Sequence, residues 1–264
     1  MQELEHLIPD LIELAQDAGA RIMAIYEAGF DVTHKSDLTP VTEADLAAHH
    51  AILAGLEILT PGLPVLSEES EEIPFSERSR WRTYWLVDPL DGTREFIKRN
   101  GEFTVNIALI EEHEPILGVV YAPVSGVCYY AARGLGAFKR GKDGATSQIQ
   151  VKSRCDARLI VAGSRSHPST SFRAFLSKIS DYEVITLGSS LKSCLVAEGK
   201  VDIYPRLGPT SEWDTAAAQC IVEQAGGLLT DLSLQPLRYN TKESLLNPHF
   251  VVFGDCSRNW QQYF

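Results

Sequence analysis

Four acidic residues occur in sequence contexts that favour one shared, buried site over a solvated surface. Glu68 follows a short apolar run, and Asp88 and Asp91 follow another in the segment Asp-Pro-Leu-Asp-Gly-Thr. Asp214 stands where a helix is predicted to begin, directly after a tryptophan. Several carboxylates are costly to bury together unless cations balance them, and oxygen ligands of this kind suit Mg²⁺. The four negative charges would be balanced by two divalent ions, so the pattern predicts a multi-metal site that could also accept a phosphate dianion.

The turn that follows Asp88 offers a second way to hold an anion. If Asp91 caps a helix that opens at Gly92, the backbone N–H groups of Gly92 and Thr93 point outward at a helix N-terminus. The missing side chain at Gly92 would let a phosphate approach closely. Asp-Pro-x-Asp-Gly is also a common surface turn, but the acidic residues upstream and downstream argue against that simpler interpretation.

Three motifs together resemble the signature of the inositol monophosphatase superfamily, a group of lithium-sensitive phosphatases. They are Glu68-Glu69 after a strand, the segment from Asp88 to Thr93, and Trp213-Asp214 before a helix, in the superfamily's order over nearly the whole chain. The resemblance implies an α/β protein of the layered α+β kind, an αβαβα sandwich. It also implies a hydrolase that uses two Mg²⁺ ions, with a third left open. The metal ligands that it implies are Glu68, Asp88, the carbonyl of Leu90, Asp91 and Asp214.

The segment from Lys35 to Asp45 is similar to the first-loop motif of the same superfamily. By resemblance, Asp37 would lie near the metals and assist a third ion or the attacking water, unless it is a solvated loop aspartate. Thr42 and Asp45 have the spacing of a helix-capping pair, which is the role predicted for them.

Substrate choice in the superfamily depends on the C-terminal half, where three segments are similar to the bisphosphate nucleotidases. These segments are 162–167, 188–192 and 204–214. They contain four cationic residues in an acidic chain, as a second, uncleaved phosphate would require, although each could be an ordinary surface cation. The cationic residues are Arg165, His167, Lys192 and Arg206. The substrate-binding residues implied are Gly92, Thr93, Ser164, His167, Ser189, Lys192, Arg206 and Asp214.

The expected reaction is hydrolysis of the 3'-phosphate of adenosine 3',5'-bisphosphate to AMP and phosphate. By resemblance, 3'-phosphoadenosine 5'-phosphosulfate could be a second substrate, and the role would lie in sulfur assimilation. Water would attack the phosphorus in line, oriented and deprotonated by Glu68 with Thr93 and supported by Asp37. The 5'-phosphate and the nucleoside would be held by Lys192, Arg206 and His167. Three alternatives stay open: an inositol monophosphatase, a sugar bisphosphatase with the same metal core, and a non-catalytic nucleotide or metal-ion sensor.

The composition excludes several kinds of partner. The 264 residues carry a formal net charge of −11, so no basic surface is available for DNA or RNA. The sequence has no run of about 18 apolar residues and no secretory leader, and its five cysteines form no C-x-x-C pair. These features favour a cytoplasmic enzyme with a small-molecule nucleotide substrate, free thiols and no integral membrane segment. Peripheral association with the inner membrane and the oligomeric state are left open.

Hydrophobic periodicity places the motifs on interleaved helices and strands, which favours a layered fold with more than one sheet. The second helix is predicted to bury the stripe Leu46, Leu53, Leu56 and Leu59. The polar segment 139–148 is the predicted boundary between an N-terminal half, 1–148, with most metal ligands, and a C-terminal half, 149–264, with the substrate-selecting residues and Asp214. Helices are predicted over residues 10–28, 42–61, 190–198 and 214–224, and a hairpin over 103–121.

Overall fold

The computed structural model describes residues 2–30, 32–34, 40–165 and 170–264. Asp37 and His167, two of the predicted site residues, lie outside the described residues. Within the described chain, none of the helices has the length and apolar character that crossing a bilayer requires. The helices are α1 Gln2–Ala28, α2 Glu43–Leu59, α3 Phe75–Arg78, α4 Thr93–Ile97, α5 Thr170–Leu176, α6 Leu191–Ala197 and α7 Ala216–Gln224, and 3₁₀ turns cover Glu212–Asp214 and Trp260–Tyr263.

Among the described residues, twelve strands belong to two large sheets, and the strands Val32–His34 and Pro40–Thr42 form a separate antiparallel pair. One sheet has the order β3-β4-β5-β6-β7-β8-β9, with β3 parallel to β4 and the other neighbours antiparallel. The other has the order β11-β10-β12-β14-β13, with β10 parallel to both of its neighbours. The pair β5–β6 is the predicted hairpin, which is therefore confirmed. The strands are β1 Val32–His34, β2 Pro40–Thr42, β3 Val65–Ser67, β4 Thr83–Asp91, β5 Thr104–Glu111, β6 Glu114–Ala122, β7 Val127–Ala132, β8 Gly136–Arg140, β9 Thr146–Ile149, β10 Leu159–Ser164, β11 Tyr182–Leu187, β12 Ile203–Arg206, β13 Leu228–Asp231 and β14 Phe250–Phe253.

Helices flank and separate the two sheets. α1 and α2 pack on one face of the first sheet, where the predicted apolar face of α1, including Leu11, Ala15 and Ile22, is buried. α7 lies between the sheets, against β5, β6 and β7 on one side and β13 on the other, and α6 packs beside it. α5 and the last 3₁₀ turn cover the outer face of the second sheet through Phe175 and Trp260. The layers therefore follow the order α-β-α-β-α, which confirms the predicted sandwich.

Helix α2 begins as the sequence predicts. Thr42 is its N-cap, and the Thr42 hydroxyl accepts a hydrogen bond from the N–H of Ala44 at 3.2 Å. The Asp45 carboxylate accepts in return from the Thr42 N–H at 2.8 Å. This reciprocal pair is a capping box, which fixes where the helix starts and how Asp45 is oriented.

The predicted buried stripe of α2 is wrong in part. Leu56 is buried, but Leu46 is 43% exposed. The side chains that pack inward are Ala44, Ala48 and Ile52. Alanines on the inner face allow the helix to lie close to its neighbours, and the larger Leu46, about half a turn away from Ala44, is directed outward.

The predicted boundary segment 139–148 is part of the first sheet. β8 ends at Arg140, β9 begins at Thr146, and the two strands pair antiparallel. The strands of the first sheet end at Ile149 and those of the second begin at Leu159. The division into halves 1–148 and 149–264 stays a prediction, and α7 of the second half packs on both sheets.

Candidate active site

Three of the predicted metal ligands come together in a cleft lined by residues of both sheets. Glu68 follows β3, Asp88 lies within β4 and Asp214 closes a 3₁₀ turn, and their carboxylate oxygens lie within 4.8 Å of one another. The parallel pairing of β3 with β4 brings Glu68 beside Asp88, and the Glu68 N–H donates to the carbonyl of Val87 at 3.1 Å. Asp214 is fixed from the other side, because its Oδ2 accepts from the Ser211 N–H at 2.9 Å.

The electrostatics of this cluster favour a bound cation. Burial raises the pKa of Asp88 well above its usual value, and the charges of Glu68, Asp91 and Asp214 raise it further. Burial also raises the pKa of Asp214 to about 8, with Asp91 and Glu68 contributing. Buried carboxylates that repel one another hold protons unless a cation replaces them. The residues present therefore fit the divalent, oxygen-preferring ions that the sequence predicts.

Asp91 lies at the end of β4 but does not cap the following helix. Gly92 is the N-cap of α4, with no side-chain capping bond. The Asp91 Oδ2 instead accepts from the N–H of Ser190 at 2.6 Å and from the Ser190 hydroxyl at 2.7 Å. The predicted capping by Asp91 is wrong because this oxygen is held by Ser190, which precedes α6 in the second half of the chain.

Gly92 is required by the backbone at the turn from β4 into α4. Its φ of +98° lies in the left-handed region, which residues other than glycine rarely adopt. A β-carbon at this position would also lie 3.2 Å from the carbonyl oxygen of Glu102. The turn directs the Thr93 hydroxyl towards the carbonyl of Leu90 at 3.4 Å, while the Leu90 N–H donates to Asp88 Oδ1 at 3.0 Å.

Asp45, which the sequence assigned only to helix capping, also contacts a predicted site residue. Its Oδ1 accepts a hydrogen bond from the Thr93 hydroxyl at 3.2 Å, while its Oδ2 makes the capping bonds to Thr42. Burial raises the pKa of Asp45. The capping box thus orients a carboxylate whose second oxygen faces the predicted catalytic Thr93.

Lys192 and Arg206 line the same cleft as the carboxylates. Lys192 is 4% exposed, and its Nζ donates to the carbonyls of Leu187 at 3.1 Å and Ser189 at 2.7 Å. Burial lowers the pKa of Lys192 to about 8. Arg206 ends β12, its Nη2 donates to the carbonyl of Pro209 at 2.9 Å, and its buried Nε has no partner among the described residues. Both cations therefore retain N–H donors for a ligand.

Arg165 differs from the other predicted cations. Its guanidinium pairs with the Glu102 carboxylate, at 2.7 Å from Nη2 to Oε1, and its Nη2 also donates to the carbonyl of Thr186 at 2.9 Å. Arg165 is not among the residues that line the described cleft. This ion pair connects the two halves beside the cleft, so Arg165 is committed to protein contacts.

Apart from Arg165, all predicted site residues that the structure describes line this one cleft. Asp37 and His167 are the predicted residues outside the described part of the chain. The roles of the individual residues stay predictions. The residues brought together are Glu68, Asp88, Leu90, Asp91, Gly92, Thr93, Ser164, Ser189, Lys192, Arg206 and Asp214.

The relationship to known proteins extends over the same length of chain. A family model described as the inositol monophosphatase family matches residues 3–259. The chain belongs to the inositol monophosphatase family. Within it, the 3'(2'),5'-bisphosphate nucleotidase CysQ of Escherichia coli strain K12 is 50% identical over 249 residues, which cover 93% of this chain and 99% of that protein. The protein of the same name from Aggregatibacter actinomycetemcomitans is 44% identical over 261 residues, covering 98% of this chain and 97% of that protein.

Solved structures of the inositol monophosphatase family share the fold. CysQ from Bacteroides thetaiotaomicron has a TM-score of 0.82 at 41% identity, covering 95% of this chain and 97% of that chain. The extragenic suppressor protein suhB from Bartonella henselae has a TM-score of 0.81 at 25% identity, covering 97% of each chain. The αβαβα layers and the order of motifs are therefore those of the family.

Tyr204, Ser190 and Asn106 are among the polar residues in and around the cleft that were not predicted from the sequence. Tyr204 lines the cleft from β12, a strand that the sequence did not predict. Ser190 contacts Asp91, and Asn106 on β5 donates to the Ser190 hydroxyl at 2.9 Å. Ser190 and Tyr204 lie within the segments 188–192 and 204–214, whose similarity to the bisphosphate nucleotidases could have identified them. Asn106 lies within β5, and its sequence context does not distinguish it from other strand residues.

Proposed function

We propose that this chain hydrolyses the 3'-phosphate of adenosine 3',5'-bisphosphate to AMP and phosphate in a Mg²⁺-dependent reaction. The observation that carries the proposal is that one cleft combines the carboxylates Glu68, Asp88 and Asp214 with the cations Lys192 and Arg206. A monophosphate needs only the carboxylates and the ions that they would hold, whereas a bisphosphate also uses the cations for its second phosphate. A relative that is 50% identical to this chain is named 3'(2'),5'-bisphosphate nucleotidase, which supports a bisphosphate substrate. A role in sulfur assimilation, with 3'-phosphoadenosine 5'-phosphosulfate as a second substrate, is part of the proposal.

In this proposal the ions are held by the carboxylates of Glu68, Asp88, Asp91 and Asp214 with the carbonyl of Leu90. When bound, two Mg²⁺ ions would neutralise phosphate charge and lower the pKa of water at the site. A third ion near Asp37 is left open, and calorimetric titration of the metal-free protein would count the ions.

The residues of the chain orient the water and accept its proton. The Thr93 hydroxyl donates to Asp45, so its oxygen retains lone pairs that can accept a hydrogen bond from the attacking water. Glu68, in the carboxylate cluster across the cleft, is the group proposed to take the proton, with Asp37 in support. The N–H groups of Gly92 and Thr93 would donate to the oxygens of the cleaved phosphate.

The second phosphate is assigned to the cations of the C-terminal half. Lys192 has three N–H donors, of which two contact backbone carbonyls. Arg206 can add its buried Nε, while Ser164 and Ser189 line the cleft nearby, and His167 is proposed to join them. The cleft continues past Tyr204 towards apolar side chains that include Leu246, which could contact the nucleoside.

The test compares phosphate release with Mg²⁺ from adenosine 3',5'-bisphosphate, inositol 1-phosphate and fructose 1,6-bisphosphate. We expect kcat/KM for the nucleotide to exceed the others by about a hundredfold or more, which is about 2.7 kcal/mol of transition-state binding. Equal or faster turnover of inositol 1-phosphate would contradict the substrate assignment and favour a monophosphatase with the same metal core. Absence of any metal-dependent release would favour the non-catalytic sensor.

The lowered pKa of Lys192 predicts a pH-dependent preference for the bisphosphate. Below pH 8 the ammonium group is charged and can hold the 5'-phosphate; as the pH rises through about 8 it loses its proton and this attraction. The ratio of kcat/KM for adenosine 3',5'-bisphosphate to that for adenosine 3'-monophosphate should therefore fall above pH 8. Both pH profiles are to be measured, with Lys192→Arg as the control that stays charged. A ratio that is constant from neutral to alkaline pH would contradict the assignment of Lys192.

A further inference from the structure

Ser190 occupies a buried junction between the two halves of the cleft. It is 5% exposed and immediately precedes α6. Its hydroxyl oxygen lies 2.7 Å from Oδ2 of Asp91, 2.8 Å from the carbonyl oxygen of Asp214 and 2.9 Å from Nδ2 of Asn106. One hydroxyl thus contacts two proposed ligand residues, Asp91 at the end of β4 and Asp214 in the turn before α7.

The hydrogen-bonding capacity of these groups defines how the junction is arranged. The Thr104 hydroxyl donates to Oδ1 of Asn106 at 3.0 Å, which directs the Asn106 amide N–H group towards Ser190. The Ser190 oxygen accepts that bond, and its single hydrogen is left for Asp91 or for the carbonyl of Asp214. The Ser190 backbone N–H donates to the same Asp91 oxygen at 2.6 Å.

The consequence for Asp91 is that its two carboxylate oxygens are not equivalent. Oδ2 accepts from the N–H of Ser190 and from Nδ2 of Asn106 at 3.3 Å, and it is one of the two acceptors within reach of the Ser190 hydroxyl. Oδ1 is therefore the oxygen left to face an ion. Groups that hydrogen-bond to metal ligands fix the orientation of those ligands and thereby set the affinity for the metal.

We infer that Ser190 is a positioning residue that aligns Asp91 with Asp214 and sets the affinity of the cleft for its divalent cation. The inference rests on the proposed function only in taking these two residues as metal ligands. The Ser190 hydroxyl acts through Asp91 and Asp214, not through a contact of its own with substrate or ion. It acts from the C-terminal half on a carboxylate of the N-terminal half, so it connects the substrate-selecting turn 188–192 with the metal site.

The experiment measures Mg²⁺ binding to metal-free full-length protein by isothermal titration calorimetry, without substrate. Ser190→Ala is expected to raise the Mg²⁺ dissociation constant about tenfold or more, as loss of such supporting hydrogen bonds does in other metal sites. Asn106→Ala, which removes a donor to Ser190 and a donor to Oδ2 of Asp91 at 3.3 Å, should also raise the dissociation constant. In the double variant the rise in the Mg²⁺ dissociation constant should be smaller than the product of the two single rises, because the two side chains contact each other and the same Asp91 oxygen.

Ser257→Ala is the matched control. Ser257 makes the same pair of contacts, from its N–H at 3.0 Å and its hydroxyl at 2.6 Å to one carboxylate oxygen of Asp255, but it is outside the lining of the described cleft. Its Mg²⁺ dissociation constant should equal that of the wild type. Melting temperatures of the metal-free variants separate a general loss of stability from a change in metal affinity.

An unchanged dissociation constant in folded Ser190→Ala would overturn the inference, as would a shift that Ser257→Ala reproduces. If Ser190→Ala does not fold, Ser190→Cys decides, because a thiol is a weaker donor and acceptor than the hydroxyl. Unchanged Mg²⁺ affinity in that variant overturns the inference. Because no substrate is present, a shift in Mg²⁺ affinity supports the role of Ser190 even if adenosine 3',5'-bisphosphate is not hydrolysed. That second result would contradict the proposed function alone.

Discussion

Replacing Asp88 by asparagine is expected to lower kcat/KM for adenosine 3',5'-bisphosphate by about a thousandfold or more, the scale of losing a major charge-stabilising contact. The same change should raise the melting temperature of the metal-free protein. Asp88 is 2% exposed, and burial together with four neighbouring carboxylates disfavours its charge. Asparagine fills nearly the same volume without that charge. Phosphate release, and thermal unfolding with EDTA or with Mg²⁺, measure the two effects.

The pH dependence of the metal-free protein gives a second view of the same repulsion. The folded-state pKa values of Asp88 and Asp214 lie above the unfolded value near 4, so the folded chain binds more protons than the unfolded chain. Stability should therefore decrease as the pH rises from about 4 towards 8, and Asp88→Asn should reduce that decrease. Added Mg²⁺ should stabilise the wild type more than the variant.

Asp202→Asn provides the comparison for a buried aspartate that already has a cation. Asp202 is 1% exposed, and its Oδ1 lies 3.2 Å from Nζ of Lys152. Neutralising it removes a favourable pair, so the melting temperature should fall while phosphate release is unchanged. If Asp88→Asn also lowers the melting temperature of metal-free protein, the carboxylates do not destabilise one another and the argument for a cation between them fails.

The sequence was informative where function requires a particular residue type at a fixed spacing. Asp88, Asp91 and Gly92 lie in a short motif in which strand, turn and helix follow one another, so local rules locate them. The capping box at Thr42 and Asp45 is a local feature of the same kind, and the structure confirms it. Such features could be predicted because their partners lie within a few residues in the chain.

Contacts between distant segments could not be predicted in this way. Asp45 and Thr93 are 48 residues apart, and Asp91 and Ser190 are 99 apart. One contact depends on how α2 packs against the first sheet, and the other on how the residues before α6 meet the end of β4. Periodicity specifies neither. The error over Asp91 has this cause: local rules assign its carboxylate to the next helix, whereas tertiary packing supplies the stronger donors of Ser190.

The cations of the C-terminal half lead to the second large expected effect. Arg206→Gln is expected to lower kcat/KM for adenosine 3',5'-bisphosphate by about a hundredfold, or about 2.7 kcal/mol, as loss of a charge-assisted contact with phosphate would. For adenosine 3'-monophosphate, which has no second phosphate, the loss should be about threefold or less. Steady-state kinetics with both nucleotides measure the ratio.

Arg165→Gln separates a phosphate contact from a general change of charge. It removes the same charge near the same cleft, but Arg165 is paired with Glu102 and is not among the lining residues. It should therefore leave the ratio between the two nucleotides unchanged. Equal losses for both nucleotides in Arg206→Gln would mean that Arg206 acts through the carbonyl of Pro209, by holding the loop that leads to Asp214. Only a loss confined to the bisphosphate requires that Arg206 bind the phosphate that is not cleaved.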